Sequence, residues 1–437
     1  MRRVFGAYAY SDGPRDGCWW DETATRPEWP EARGGISADV AVIGGGFTGL
    51  SAALHLAEAG ASVAVLDAEY PGWGASGRNG GFCCLGGAKI DGDTYARIHG
   101  AEEARQFHAA EVEAVHLVAR LLDRLGIDAD THSRGETQMA HNRRAMERLR
   151  RAADAEDGAV VTEAADLAAE GMAGPFHGAL TIPVGFGLNP RKYVLGLAQA
   201  ASEAGARLYQ NSPAGRIEKT GNGYRIALPQ GTLHADAVLM CTNGYSSEDI
   251  PDWLAGRYMP AQSTVLVTRP LTEAELAAAG WTTDQMAYDT RNLLHYFRLM
   301  PDRRFLFGMR GGLTSTPQAE AAARARTRRD FEAMFPAWRG VESAHMWSGM
   351  VCLAANRVPF TGPVPGNPGM FAGLAYHGNG VAMGSYAGRL LADLVQGKTP
   401  DLPYPAAMRA PMARFPLGRA RRLLMPPLYA GLALGDL

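Results

Sequence analysis

Residues Ala38 to Ala68 read ADVAVIGGGFTGLSAALHLAEAGASVAVLDA, and no other part of the chain restricts the fold as tightly. Val40 to Ile43 is a short, apolar, β-branched run suited to a buried parallel strand. Gly44, Gly46 and Gly49 follow it as GxGxxG. The first glycine permits a tight turn, the second lets backbone approach a pyrophosphate, and the third lets the next helix pack closely on the strand. A helix is predicted from about Gly46, with Phe47 and Thr48 in its first turn and Leu50, Ala53, Leu54, Leu56 and Ala57 on its apolar face. Gly60 is placed to end it. The amino terminus of such a helix offers unpaired N–H groups to phosphate. Ser62 to Leu66 forms a second strand and delivers Asp67 and Ala68 just past its end, where a carboxylate can accept hydrogen bonds from both hydroxyls of an adenosine ribose. A phosphate on that ribose would be repelled, which argues against NADP and leaves NAD and FAD open. The segment binds a dinucleotide.

Composition sets the outer limits. A chain of 437 residues, 46% hydrophobic, can bury a large core and is expected to form two domains or one interleaved pair. With a net charge of -2 and no long basic stretch, nucleic acid is not an expected partner. The five cysteines, Cys18, Cys83, Cys84, Cys241 and Cys352, are scattered without CxxC spacing, so they read as reduced, buried thiols, and no metal site is expected. The first 36 residues mix Arg2, Arg3, Asp12, Asp16, Asp21 and Glu22 with no continuous apolar run. Neither a signal peptide nor a membrane span is expected, and a cytoplasmic location is the default.

The order of patterns predicts an α/β (α+β) chain. A Rossmann-like domain is interleaved with a substrate domain built on a mixed, largely antiparallel sheet. Helical periodicity covers Ala101 to Leu125 and Asn142 to Glu156. A further helix covers Asn189 to Ala204, with Asn189 as cap and Pro190 at its first position. Thr131 to Ala140 alternates like a strand. From Ala206 to Met240 short strands lead to a Thr242, Asn243, Gly244, Tyr245 turn. Ser263 to Thr268 and Arg304 to Gly308 read as strands, Glu273 to Ala279 and Ala319 to Met334 as helices. Met370 to Leu374, a glycine turn at His377 to Gly380 and a helix over Met383 to Val395 complete the pattern. The expected division is an arm over 1–36, a dinucleotide domain from 37–90, 188–248 and 345–398, a substrate domain from 91–187 and 249–344, and a tail of packed helix and coil over 399–437.

Residues 71–81, PGWGASGRNGG, are too rich in glycine for ordinary scaffold. With the dinucleotide segment, with LLHYFRLMPDRRFLFG (293–308), with WSG (347–349) and with NRVPF (356–360), this stretch resembles the D-amino-acid oxidase superfamily of FAD enzymes, which includes the glycine and sarcosine oxidases. Within it the motifs are most similar to the bacterial gamma-glutamylputrescine oxidases. The resemblance spans residues 38–400. It implies FAD as the cofactor, with Gly74, Ser76, Gly77, Arg78, Asn79, Gly80 and Gly81 along its pyrophosphate, ribityl chain and ring. It implies Ala214 at adenine and Thr242, Asn243 and Gly244 beside the cofactor. Gly378, Asn379, Gly380 and Val381 would open a helix aimed at the flavin pyrimidine. Relatives commonly carry histidine where Asn379 stands.

The activity implied is oxidation of a primary or secondary amine, such as gamma-glutamylputrescine or a related polyamine derivative. Hydride passes to flavin N5, the imine hydrolyses to an aldehyde, and oxygen reoxidises the flavin. His295, Arg298 and Arg78 are the candidate catalytic cations, with Arg310 a further one; the lysine that serves sarcosine oxidases falls near Leu306. Glycine oxidases clamp the substrate carboxylate with an arginine two residues after the WAG-like glycine, where Val351 stands here. That favours an amine without an adjacent carboxylate, or with one held elsewhere. Cys352 lies near the position where sarcosine oxidases tether FAD, although the registers differ by about a residue, so the expectation is non-covalent binding. Two other readings stay open: a secondary-amine or N-alkyl amino-acid dehydrogenase using another acceptor, and a non-catalytic flavin-containing assembly protein.

Overall fold

The apolar run at Val40 to Ile43 becomes the carboxyl half of β1 (Arg33–Ile43) in the computed structural model, which describes residues 1–436. Parallel neighbours need a crossover connection, and a helix after the strand supplies one. β1 accordingly lies parallel to β2 (Val63–Leu66) on one side and to Gln230–Met240 on the other. The sheet runs Phe360–Pro363, Met370–Leu374, Gln230–Met240, β1, β2, Arg207–Tyr209, with Gly223–Leu228 and Ile217–Thr220 as an antiparallel branch.

The crossover helix α1 (Phe47–Glu58) was expected to show one apolar face, yet most of its circumference is buried. The reason is that Pro190–Glu203 and Ala382–Val395 pack beside it, with Ser51 donating to the Ser385 carbonyl at 2.7 Å. Leu50, Leu54 and Leu56 are at most 1% exposed, each contributing about 2 kcal/mol of burial. Asn189 caps Pro190–Glu203 by accepting from the N–H groups of Arg191 and Lys192.

The second sheet runs His345–Ala354, Tyr258–Val267, Phe305–Arg310, His295–Leu299, Ala287–Asp289, Glu136–Met139, Gly178–Ile182, Val160–Glu163. One expected boundary is corrected here. Residues 345–354 were assigned to the dinucleotide domain, but they pair antiparallel with Tyr258–Val267 over their whole length, so that sheet takes them. The return to the first sheet comes only at Phe360.

The arm is irregular up to β1, with two short turns of 3₁₀ helix, and it lies on the glycine-rich loop. Trp20 Nε1 donates to the Asn79 carbonyl at 2.8 Å, Arg15 donates to the Trp73 carbonyl at 2.6 Å, and Trp73 Nε1 donates to Asp12 at 2.9 Å. The tail ends in the helix Met425–Gly435, after which Asp436 accepts from the N–H groups of Asn292 and Leu293. No helix of the described residues is long and apolar enough to cross a membrane.

Candidate active site

A cavity of about 490 Å³ opens at the carboxyl ends of β1, β2 and Gln230–Met240 and extends to the second sheet. That is where open α/β sheets bind ligands. Its wall at the β1 turn is backbone: Gly44, Gly45 and Gly46, then Phe47 and Thr48 of α1. Gly44 has φ 106°, and a Cβ there would lie 2.8 Å from the Cys241 carbonyl oxygen, so only glycine turns the chain at this point.

Asp67 stands where β2 ends and holds that turn. It accepts from the Gly45 N–H at 2.8 Å and the Glu69 N–H at 3.0 Å. Its carboxyl is nonetheless raised to about 6, because the surrounding protein disfavours the charge more than these two donors favour it. Ser76 Oγ accepts from the Phe47 N–H at 2.9 Å, tying the glycine-rich loop to the start of α1.

Of the residues singled out from sequence, the cavity wall includes Gly44, Gly46, Phe47, Thr48, Asp67, Ala68, Gly74, Ser76, Arg78, Asn79, Gly80, Ala214, Thr242, Asn243, Gly378, Asn379, Gly380 and Val381. Four segments far apart in sequence therefore converge on one space. The cavity wall is chemically suited to a flavin dinucleotide: glycine backbone and a helix start for phosphate, a carboxylate for ribose, and an aromatic flank. Tyr245, on the same wall, has a buried hydroxyl with no hydrogen-bond partner among the described residues.

The remaining glycines of the motifs do not touch the cavity. Gly49, Gly77, Gly81 and Gly244 stand behind the wall. A Cβ on Gly49 would lie 2.0 Å from the Gly44 carbonyl oxygen, so this residue sets helix against turn. Gly77 donates to the Gly74 carbonyl, Gly81 donates to Asn79 Oδ1 at 2.7 Å, and Gly244 packs on Met350.

The three candidate catalytic cations also stand differently from expectation. Arg78 lines the cavity but is 1% exposed. It donates to the Trp73 carbonyl at 2.7 Å and to the carbonyls of Gly74 and Ser348, so its donors brace the loop. Arg298 does not line the cavity. It is covered by Trp20 and Phe82, donates to the Leu188 carbonyl at 2.7 Å and meets His132 Nε2 at 2.8 Å.

His295 also lies away from the cavity, with Nδ1 2.7 Å from Asp289 and Nε2 3.6 Å from Asp330, the second too long for a hydrogen bond. Burial opposes its charge, but the two carboxylates outweigh burial and raise it from 6.5 to about 8. A raised histidine stabilises the fold fully below its unfolded value and loses that contribution as pH rises through its folded value. The melting temperature should therefore fall between pH 6.5 and 8.5 more steeply in the wild type than in His295→Asn. Parallel curves in a thermal denaturation series would remove this pair as the cause.

The sequence did not single out the polar wall on the second-sheet side. Lys89, Tyr288, Tyr296 and His377 line it together with Arg310. His377 Nδ1 lies 2.7 Å from the Gly87 carbonyl and Nε2 accepts from the Ala354 N–H. Burial lowers the ring to about 4, so it is neutral, with its proton on Nδ1. Arg310 donates to the His377 carbonyl at 3.1 Å. Lys89 opens to the cavity and is lowered to about 8, by desolvation first and then by the charge of Arg310. Asn379 donates to the Leu85 carbonyl, which fixes its amide at the cavity wall.

Comparison with known proteins agrees with this geometry. The model of the DAO family, FAD dependent oxidoreductase, matches residues 39–394. A protein of Rhizobium meliloti described as "Probable oxidoreductase OrdL" is 32% identical over 96% of this chain and 97% of its own length. The gamma-glutamylputrescine oxidoreductase of Escherichia coli is 31% identical over 89% of this chain and 90% of its own. Among solved structures, glycine oxidase from Geobacillus kaustophilus shares the fold with a TM-score of 0.71 at 20% identity, over 86% of this chain and 98% of that one. A βαβ dinucleotide turn, a glycine-rich loop and a helix start meeting at one cavity, in a chain whose residues 39–394 match the family model, have one reading: the protein is an FAD-dependent oxidoreductase of the DAO family.

Proposed function

We propose that this enzyme oxidises an amine that carries a carboxylate several bonds from the reacting nitrogen, with gamma-glutamylputrescine as the representative substrate. The observation that carries the reading is the charge on the cavity wall. Lys89 and Arg310 face it, and among the described lining residues the acids, Asp67 and Glu69, belong to the end of β2, while Asp436, the carboxylate that acts on Lys89, is not part of the wall. Val351 lines the same wall, so an α-carboxylate has no arginine there, whereas a distant one has two cations to meet. The name of the Escherichia coli relative points to the same class of substrate.

Gly44 to Thr48 and Ser76 would hold the FAD pyrophosphate, Asp67 its ribose, and the start of Ala382–Val395 the ring. Bound there, FAD supplies the two-electron acceptor. The protein positions the substrate carbon, excludes water with Tyr296, Met350 and Val351, and supplies polar contacts. The buried thiol of Cys352, pushed up to about 12 by desolvation, supports non-covalent binding.

Anaerobic bleaching of the flavin by gamma-glutamylputrescine, putrescine, sarcosine and glycine tests the reading. Gamma-glutamylputrescine should bleach it fastest; a preference for glycine or sarcosine, or no bleaching, would overturn it. Oxygen uptake against dye reduction then distinguishes the proposed oxidase from a dehydrogenase. Lys89→Gln should raise the KM for gamma-glutamylputrescine by about tenfold and leave that for putrescine unchanged, since a charged hydrogen bond contributes about 1.5 kcal/mol or more. Equal effects on both amines would remove Lys89 from carboxylate recognition.

A further inference from the structure

Glu136, on the strand Glu136–Met139, is a carboxylate 1% exposed. Its Oε1 accepts from the Tyr288 hydroxyl at 2.7 Å, and its Oε2 from the Leu85 N–H at 2.9 Å. Tyr288, Cys84 and Leu85 all line the cavity, so the acid stands one hydroxyl behind the substrate wall. Among the described residues no cation compensates its charge. Facing it are the thiols of Cys83 and Cys84, Glu111 from the helix Ala101–Leu125, and Glu156. Ile182 stands opposite in the neighbouring strand. His108, the nearby base, is at ion-pair distance from Glu111 and Glu156 instead. Burial lifts the Glu136 carboxyl to about 7, beyond what its two donors offset. A buried acid with no cation destabilises a fold, and a carboxyl titrating near neutrality suits proton transfer at that pH.

Resting on the amine-oxidation reading above, we propose that Glu136, acting through Tyr288, takes the proton that the substrate ammonium loses before its carbon is oxidised. Tyr288 is the group that meets substrate; Glu136 is the positioning residue that receives the charge. One N–H bond of the ammonium breaks as its proton passes to the Tyr288 oxygen. The Tyr288 O–H proton moves to Glu136 Oε1. The products are a neutral amine, an intact tyrosine and a protonated carboxyl, with no net change in charge and no electrons transferred. The existing hydrogen bond already runs in the required direction, from tyrosine to carboxylate.

The test is the pH profile of anaerobic flavin reduction by gamma-glutamylputrescine in the holoenzyme. Wild type should show a limb near pH 7. In Glu136→Gln the rate at pH 7 should fall about a hundredfold. The limb should vanish, leaving a rise of tenfold per pH unit that follows the free amine in solution. Tyr288→Phe should behave the same way, and it carries the test if the glutamine variant does not fold. A second readout needs no turnover: the infrared carbonyl band of a protonated carboxyl should appear as pH falls through 7 in wild type and be missing from Glu136→Gln. A variant that keeps the wild-type limb and rate, or an unchanged infrared band, overturns this assignment alone. A wild-type flavin that no amine bleaches overturns the amine reading and the assignment with it.

Discussion

Gly49→Val is expected to give protein that purifies without flavin. A Cβ at position 49 would lie 2.0 Å from the Gly44 carbonyl oxygen and 3.0 Å from a methyl of Val42. Both obstacles belong to β1 and its turn, and the nearer is backbone, which has no rotamer to move out of the way. Overpacking in a core typically costs about 1–3 kcal/mol, and here the strain falls on the turn that would cradle the pyrophosphate. Relaxing it means moving α1 away from β1, and with it the Gly46 to Thr48 backbone. Gly92→Ala is the control, since nothing lies within 4 Å of a Cβ there. The ratio of flavin to protein absorbance in purified material measures the effect. A fully loaded Gly49→Val protein would show that close packing of helix on turn is not what shapes the site.

Asp67→Ala should weaken FAD binding by about a hundredfold or more. Two ribose hydroxyls donating to a carboxylate are each worth about 1.5–3 kcal/mol, and every 1.4 kcal/mol is about tenfold in affinity. Because Asp67 also holds the N–H groups of Gly45 and Glu69, part of the loss would come from a loosened turn. pH separates the two contributions. The carboxyl titrates at about 6 before ligand binds, and hydroxyl donors favour its ionised form. FAD affinity should therefore be flat above pH 6 and fall as pH drops through that value, by up to tenfold per unit. Asp67→Asn should be weak and flat across the range. A wild-type affinity that does not change between pH 7 and pH 5, by fluorescence titration of apoprotein, would sink the ribose assignment.

Much of this was legible in the sequence because local chemistry dictated it. The helices Ala101–Leu125 and Glu273–Ala279 fall where the pattern of apolar residues put them. The β1 to Asp67 segment is a single supersecondary unit, so its spacing carried its geometry. Sheet membership was harder to see. Residues 345–354 alternate like any strand, and only pairing with Tyr258–Val267, roughly ninety positions earlier, decides which sheet they join.

The placement of the candidate cations was hidden for a related reason. In the strand His295–Leu299 adjacent residues point to opposite faces. With Tyr296 on the cavity, His295 must face the other way, toward Asp289 and Asp330. Arg298 shares the Tyr296 face but lies beneath Trp20 and Phe82, from the arm and the glycine-rich loop. The pair Glu136 and Tyr288 had no local signal at all, since its members are 152 positions apart and meet only when two short strands assemble.

The arm that clasps residues 73–79 ties the chain's beginning to the state of its coenzyme. Trp20 and Arg15 hold carbonyls of the loop that would embrace the flavin, so anything that loosens the loop frees the arm, and a protease cutting before residue 30 becomes a gauge of loading. Stripped protein should be nicked there far sooner than the yellow form, and a bulky fusion joined at Met1 should cost coenzyme retention in a way that the same fusion at the opposite terminus does not.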